Sequence, residues 1–382
     1  MAMRAAADAR RAAGLPVFDL TAGEPDFRTP LTARLGAQEA LREEKTRYTP
    51  VAGIPELRGA IAADATRLAA VEANSPAKFT VENVLVTAGA KAALQQIFFA
   101  LLSPASAESE RDEVLIPTPC WTSYPEQVKL AGGRPVFVDT LATRWLPEVD
   151  RLAAALTPRT RALVLCHPNN PTGAVIPPER LHALAGFCQA HNLWLLCDEV
   201  YLEFYYGAPA LSLLRENWPG LVVVSAASKT YAMTGWRLGW AIAAPELIQA
   251  LILLQSQTLT CASSLSQWAA LRALTGGRGY LAYWRSDYLK RRDRLLHTLA
   301  GIPGLRWAPP DGAFYLFLDG REILARRGES SEQFAQRLLA QFGVGVVAGE
   351  AFLAPGFLRI SYAAADDILD SGASLLRAAL TE

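Results

Sequence analysis

Residues 225–240 read SAASKTYAMTGWRLGW and set one ammonium, Lys229, and one guanidinium, Arg237, behind the apolar run LVVVS (221–225). Only six of the 37 cationic side chains are lysines, so arginine is the default cation of this chain and each lysine raises a question of chemistry. A lysine held at the end of an apolar strand binds its proton less tightly and becomes a nucleophile toward aldehydes. Arg237, with Gly235 and Gly239 giving access, suits a bidentate grip on phosphate. Asp198 closes another apolar run, LWLLC (193–197), and is followed by Glu199, Val200 and Tyr201. A carboxylate there either caps a following helix or needs a cationic partner such as a protonated ring nitrogen. Asn170 lies in HPNNPTG (167–173), a rigid turn that can aim an amide at one atom. Trp121, just past EVLI (113–116), can lie flat on a planar ligand. Gly89, Ala90 and Lys91 follow VLVT (84–87) and open a helix, whose first N–H groups favour an anion.

What must position these groups is a set of seven short apolar runs: VLVT, EVLI, PVFV (135–138), ALVLC (162–166), LWLLC, LVVVS and GWAIA (239–243). They lack polar alternation, which predicts strands buried on both faces. Helical segments such as AKAALQQIFFALL, YPEQVKLAGG and PPERLHALAGFCQAH separate most of them. The pattern predicts an α/β fold: a three-layer α-β-α domain around a mostly parallel seven-stranded sheet. In such a sheet ligands bind beyond the carboxyl ends of the strands, where the residues above lie. Residues 226–238 are a marginal crossover between parallel strands, which points to an antiparallel GWAIA. After about residue 245 the pattern turns helical, and a second α+β unit follows. The expected division is a large cofactor-binding domain at 30–275 and a smaller one from 1–29 with 276–382.

Composition narrows the classes. The chain is 51% apolar and 19% charged, which is globular, and its 37 acidic and 37 basic residues balance. Nothing marks a nucleic-acid groove or an anionic membrane surface. Five scattered cysteines, mostly in apolar runs, read as reduced thiols in a cytoplasmic protein. Four histidines without ligand spacing give no metal site. The opening MAMRAAADARRAAG reads as an amphipathic helix, and no apolar run is long enough to span a bilayer.

Together these groups form the set that pyridoxal phosphate needs: a phosphate clamp, a ring plate, partners for O3′ and the ring nitrogen, and a Schiff-base lysine. The chain resembles the fold-type I pyridoxal-phosphate aminotransferases of class I/II, above all the bacterial branch of aspartate aminotransferases. The likeness runs from TAGEPDF (21–27) through RYTPVAGIPELR, HPNNPTGAV, DEVY, SKTYAMTGWRLGW and DGAFY to LRISYA (358–363). It implies that Lys229 forms the Schiff base and carries the substrate proton, and that Asp198 holds the ring nitrogen protonated. Asn170 and Tyr201 would reach O3′ and Trp121 would stack on the ring. Gly89, Ala90 and Lys91, with Ser228 and Arg237, would bind the phosphate. Arg359 would clamp the substrate α-carboxylate, with Trp121, Asn170 and the Gly23 loop beside it. Tyr48 and Thr260 would reach the site of a neighbouring subunit, giving a homodimer with shared sites. Lys91 would recognise a distal carboxylate, so the expected reaction moves an amino group from glutamate or aspartate to a 2-oxo acid by a ping-pong route. The same residues would begin a β-lyase, cyclase or oxidase reaction, or serve a non-acidic donor.

Two departures stand out. Ala226 occupies a place where the family often has a phosphate-binding Ser or Thr, so that bond is expected to be lost or supplied differently, with Ser225 and Ser228 flanking the gap. Twenty residues precede TAGEPDF, fewer than is common, so the cover over the substrate pocket is expected to be short or missing.

Overall fold

The computed structural model describes residues 2–71, 77–105 and 107–382. A short strand β1 (Phe18–Asp19) precedes the seven strands of the large sheet: β2 (Val84–Thr87), β3 (Glu113–Thr118), β4 (Arg134–Asp139), β5 (Thr160–Cys166), β6 (Trp194–Asp198), β7 (Leu221–Ala226) and β8 (Gly239–Ile242). Their order is β2-β8-β7-β6-β5-β3-β4. β8 runs antiparallel to both neighbours, and the other four pairings are parallel. Chain length explains the reversal. A single helical turn, Ala227–Thr230, and a loop join β7 to β8. That link is too short to return to the far edge of the sheet, so β8 starts at the edge where β7 ends. β2, antiparallel to β8, points the same way as β7. The carboxyl ends of β2 to β7 and the amino end of β8 therefore share one edge.

Alternate side chains along the strands enter two cores. Leu85, Val114, Val164, Leu196 and Val222 pack with Leu94 and Phe98 of the helix Ala90–Leu101. Leu115, Leu163, Leu195 and Val223 face the other way, onto Leu57 and Ile61 of the helix Pro55–Ala69 and Leu181 and Leu184 of the helix Pro178–Ala190. Each fully buried Leu or Val stabilises the layer by about 1.5–3 kcal/mol. The three-layer architecture and the antiparallel GWAIA strand are as the sequence predicts. PVFV is the exception. It forms the edge strand β4, where Val138 alone is buried and Phe137 is 45% exposed. Apolar composition marks a strand, but its place in the sheet depends on which strands flank it, and β4 has a neighbour on one side only.

The C-terminal unit holds β9 (Arg306–Trp307), β10 (Tyr315–Asp319), β11 (Val344–Gly345), β12 (Val347–Ala348) and β13 (Phe357–Ser361). Four of these form an antiparallel sheet, β12-β13-β10-β9. The helices Gly279–Leu299 and Asp366–Thr381 pack together beside it. The N-terminal segment is stitched to this unit: β1 pairs parallel with β11, and Arg10 Nη1 donates to the Ala340 carbonyl at 2.7 Å. Arg291, buried in the long helix, binds Asp26 at 2.8 Å and also Asp287 and Asp366 at 3.0 Å. That knot anchors the 20–27 strap, which carries Gly23.

The edge position of β4 sets a paired test. Leu196→Ala, in the middle of the sheet, is expected to lower unfolding stability in urea by about 2–5 kcal/mol. Phe137→Ala at the edge is expected to cost less than about 1 kcal/mol. Equal losses would contradict this sheet order.

Candidate active site

The shared strand edge opens into a cavity of about 380 Å³. Most strand ends deliver a group. β6 ends at Asp198, the turn after β5 presents Asn170, the loop after β3 presents Trp121, and the single helical turn after β7 presents Ser228 and Lys229. Arg237 enters just before β8, beside Ala90 and Lys91 at the start of the helix after β2. Gly23 comes from the strap, Tyr201 from the chain after β6, and Tyr315 and Arg359 from β10 and β13 of the C-terminal unit. Eleven of the sixteen lining residues are ones the sequence singles out for the site.

The floor of the cavity is acidic. Asp198 is 3% exposed, and its Oδ2 accepts from the Tyr124 hydroxyl at 2.9 Å. Burial pushes its carboxyl up to about 6, while Tyr124, the Val200 N–H and Lys229 pull the other way. Burial holds the Tyr124 hydroxyl far above its ordinary range, so it remains a donor. Lys229 is drawn down to about 8, first by burial, with Arg237 and Arg359 adding to the effect. Glu24 and Asp198 oppose it. The Lys229 ammonium donates to the Gly23 carbonyl, which closes the strap over the cavity.

The end of the cavity beside Arg237 is built from absent side chains. Gly89 has φ +98°, and a Cβ there would lie 2.7 Å from Arg237 Nη2. A Cβ on Gly239 would lie 2.5 Å from the Ala90 nitrogen. Glycine at both places lets the guanidinium and the helix start converge. That helix start has no side-chain cap, so its N–H groups are open to an anion. Ala226 lines the same cavity, and of the two nearby hydroxyls it is Ser228 that joins it there. Lys91 Nζ lies 4.8 Å from the centroid of the Trp121 ring. Burial and Arg237 lower its proton affinity.

Arg359 is 7% exposed and sits over the Tyr315 ring at 4.4 Å. Its Nη1 donates to Asn170 Oδ1 at 3.0 Å and its Nη2 to the Thr21 carbonyl at 2.8 Å. Its Nε is buried without a partner, and among the described residues no carboxylate pairs with it. A buried guanidinium met only by neutral acceptors is an anion site.

Tyr48 and Thr260 do not join the cavity. Tyr48 is 88% exposed and Thr260 is exposed with φ +62°. Conversely, Tyr124, Tyr315 and Cys166 line the site without having been singled out from the sequence. Tyr124 follows Trp121 by three residues at a helix start, and Tyr315 closes the DGAFY stretch, so spacing and motif held signals for two of them. The Tyr315 hydroxyl lies 2.9 Å from that of Tyr201.

A sequence model of the family "Aminotransferase class I and II" matches residues 16–369. The chain belongs to this family. An aspartate/prephenate aminotransferase of Thermus thermophilus is 41% identical to it over 373 residues, covering 97% of this chain and 92% of its own. An aspartate aminotransferase of Streptomyces avermitilis is 39% identical over 393 residues, covering 100% of this chain and 93% of its own. The solved aspartate aminotransferase from Thermus thermophilus with maleate matches with a TM-score of 0.91 at 40% identity, covering 99% of this chain and 95% of that one. The protein is a pyridoxal-phosphate-dependent aminotransferase, and the cavity fits the cofactor: glycines leave room at the phosphate end, a buried acid waits at the ring end, and a lysine with weakened proton affinity lies between.

Two outcomes follow from this aminotransferase's electrostatics. Lys229 is mostly protonated below pH 8 and mostly neutral above it. The rate at which cofactor-free protein condenses with pyridoxal phosphate should therefore rise from pH 7 to pH 9 with a midpoint near the lysine's value of about 8, followed by absorbance. A midpoint at the ordinary 10.5 would refute the depression. Tyr124→Phe removes a donor to the ionised Asp198, so that carboxyl takes up its proton at higher pH. Cofactor affinity, read by fluorescence titration, is expected to fall about tenfold or more, and further at pH 6 than at pH 8.

Proposed function

We propose that this aminotransferase takes L-aspartate or L-glutamate as amino donor and passes the amino group to a 2-oxo acid, working as a homodimer whose active sites are shared. The observation that carries the donor class is that two of the cavity's cations, Arg359 at one wall and Lys91 at another, have no carboxylate partner among the described residues. An amino acid with two carboxylates satisfies both. The relative solved with maleate, a dicarboxylate, supports the same reading.

Within that reading the residues divide the work. Arg359 grips the α-carboxylate, aided by Asn170, and turns the Cα–H toward Lys229. Asn170 gives its carbonyl to Arg359, which leaves its NH2 to donate to the cofactor's O3′, with Tyr201. Trp121 covers the ring face. Asp198 holds a proton on the ring nitrogen, and Tyr124 steadies Asp198. Arg237, Ser228 and the N–H groups at Gly89, Ala90 and Lys91 hold the phosphate. Bound there, pyridoxal phosphate supplies an aldehyde for Lys229 and an electron-withdrawing ring for the substrate Cα. The neutral Lys229 amine takes the Cα proton and returns it as general base and acid. Gly23, whose Cβ would meet the Tyr315 hydroxyl at 3.2 Å, keeps the strap close while leaving the Tyr201–Tyr315 pair intact.

Support for the dimer lies on the surface. Leu31, Leu35 and Leu41 on the helix Leu31–Arg42, Leu253 on the helix Pro245–Thr258, Leu259 and Tyr48 are all exposed. In this reading a second copy of the chain would cover them. Tyr48 and Thr260 lie outside their own cavity, as groups serving a second copy must.

A panel of amino donors, scored by conversion of the lysine-bound cofactor absorbance to pyridoxamine phosphate with release of oxo acid, tests the reaction. Ammonia with pyruvate, or oxygen uptake, would replace this reading with a lyase or an oxidase. Lys229→Ala is expected to abolish the protein–cofactor Schiff base. Lys91→Met should raise the KM for aspartate about tenfold or more and leave that for alanine nearly unchanged. A uniform rise for both donors would remove Lys91 from donor choice.

A further inference from the structure

Two surface segments, residues 46–54 and 259–263, carry Tyr48 and Thr260. Neither segment is regular helix or strand, so their backbone groups need partners from elsewhere. Two glutamines supply them, and both side chains are completely buried. Gln267 does so for both segments at once. Its Oε1 accepts the Ile54 N–H at 2.8 Å, while its Nε2 donates to Thr49 Oγ1 and to the Ala262 carbonyl, each at 2.9 Å. Gln255 works from the neighbouring helix. Its Nε2 donates to the carbonyls of Val51 at 2.7 Å and Val86 at 2.9 Å, and its own backbone carbonyl accepts the N–H groups of Leu259 and Thr260, both at 3.0 Å. Gln96 donates to its Oε1 at 3.2 Å.

The fit around these amides is close. Gly53 has φ +104°, and a Cβ there would meet Val86 at 2.6 Å and Gln267 Oε1 at 3.2 Å. Thr260 takes a left-handed φ of +62°, which a β-branched residue adopts only when its surroundings impose it. A leucine or methionine in place of either glutamine would fill the core but leave buried backbone groups unpaired. The Gln267 amide therefore ties the two loops to each other, and the Gln255 amide ties the 46–54 loop to the helix that leads into the second.

We propose that Gln255 and Gln267 are positioning residues for the cofactor site of a second copy of this chain: they hold the Tyr48 and Thr260 loops at the height and spacing at which those side chains meet the partner's bound phosphate. The proposal rests on the shared-site homodimer reading. It goes beyond that reading by locating the control of one protomer's cofactor binding in the core of the other.

Hybrid dimers test it. One protomer carries Lys229→Ala and the other keeps Lys229, so a single cavity per dimer forms the Schiff base and the loops serving it belong to the Lys229→Ala protomer. Retention of pyridoxal phosphate by that cavity is read from its absorbance during dialysis. Gln267→Leu on the Lys229→Ala protomer, in trans, is expected to weaken retention about tenfold. The same change on the Lys229 protomer, in cis, is expected to weaken it less than about threefold. Gln255→Met, which removes the bonds to Val51 and Val86 while conserving volume, should show the same asymmetry and guards against a Gln267 variant that does not fold. A loss in cis equal to that in trans overturns the proposal. Tyr48→Phe in trans separates the two readings. If it weakens retention while the glutamine variants in trans do not, the glutamine assignment fails and sharing stands. If Tyr48→Phe acts only in cis, or the protein sediments as a monomer, the shared site fails and takes the proposal with it.

Discussion

Among the described residues that line the cavity, Asp198 is the only acidic one, set against four cationic ones, Lys91, Lys229, Arg237 and Arg359. Its carboxylate ends a buried strand and would bind a proton near neutral pH unless something compensates. Much of the site is arranged around that fact. The Tyr124 hydroxyl and the Val200 N–H offer hydrogen bonds to the ionised form, and the charge of Lys229 favours it. None of these neutralises it fully. A cationic ring nitrogen would complete the set, so the protein without cofactor holds an electrostatic deficit that cofactor binding removes. Arg359 mirrors this at the opposite wall, where a buried cation awaits an anion. In the reading proposed above, cofactor and substrate would each complete one half-built ion pair.

Holding charged groups in this state needs a stiff frame. The sheet brings the ends of seven strands to one edge because β8 reverses, and the two packed cores fix the strands from both faces. The C-terminal unit then carries Arg359 and Tyr315 to the cavity from a separate sheet, while the Asp26–Arg291 knot ties the strap to the same unit. Tyr315 meets Tyr201, and Arg359 meets Asn170, across 114 and 189 residues of chain. These contacts mean that the two units cannot shift against each other without changing the hydrogen bonds of Arg359, Asn170, Tyr201 and Tyr315 in the cavity.

Much of this was legible in the sequence because chemistry at the end of a strand leaves a local mark. Asp198 after LWLLC, Asn170 in HPNNPTG, and Lys229 and Arg237 around the β7–β8 link each contrast with their own neighbours. The short link also foretold the reversed strand. What stayed hidden depends on tertiary position. PVFV has the composition of a buried strand and lies at an edge, because strand order is decided by contacts far apart in the chain. Tyr124 reads as one more aromatic at a helix start, and its role emerges only when β6 places Asp198 beneath it. Gln255 and Gln267 look like ordinary helical glutamines until the fold closes two loops over them.

The β7–β8 link carries both Lys229 and Arg237, and the reversal of β8 forces the chain between them to remain at one edge of the sheet. The amine and the guanidinium are therefore the two marks of a molecular gauge whose span is set by a few residues of backbone, independently of how the two folded units sit. A ligand must carry its aldehyde and its anion at that separation to engage both. In the proposed reading, the shortest connection in the sheet would thus set the length of ligand that fits.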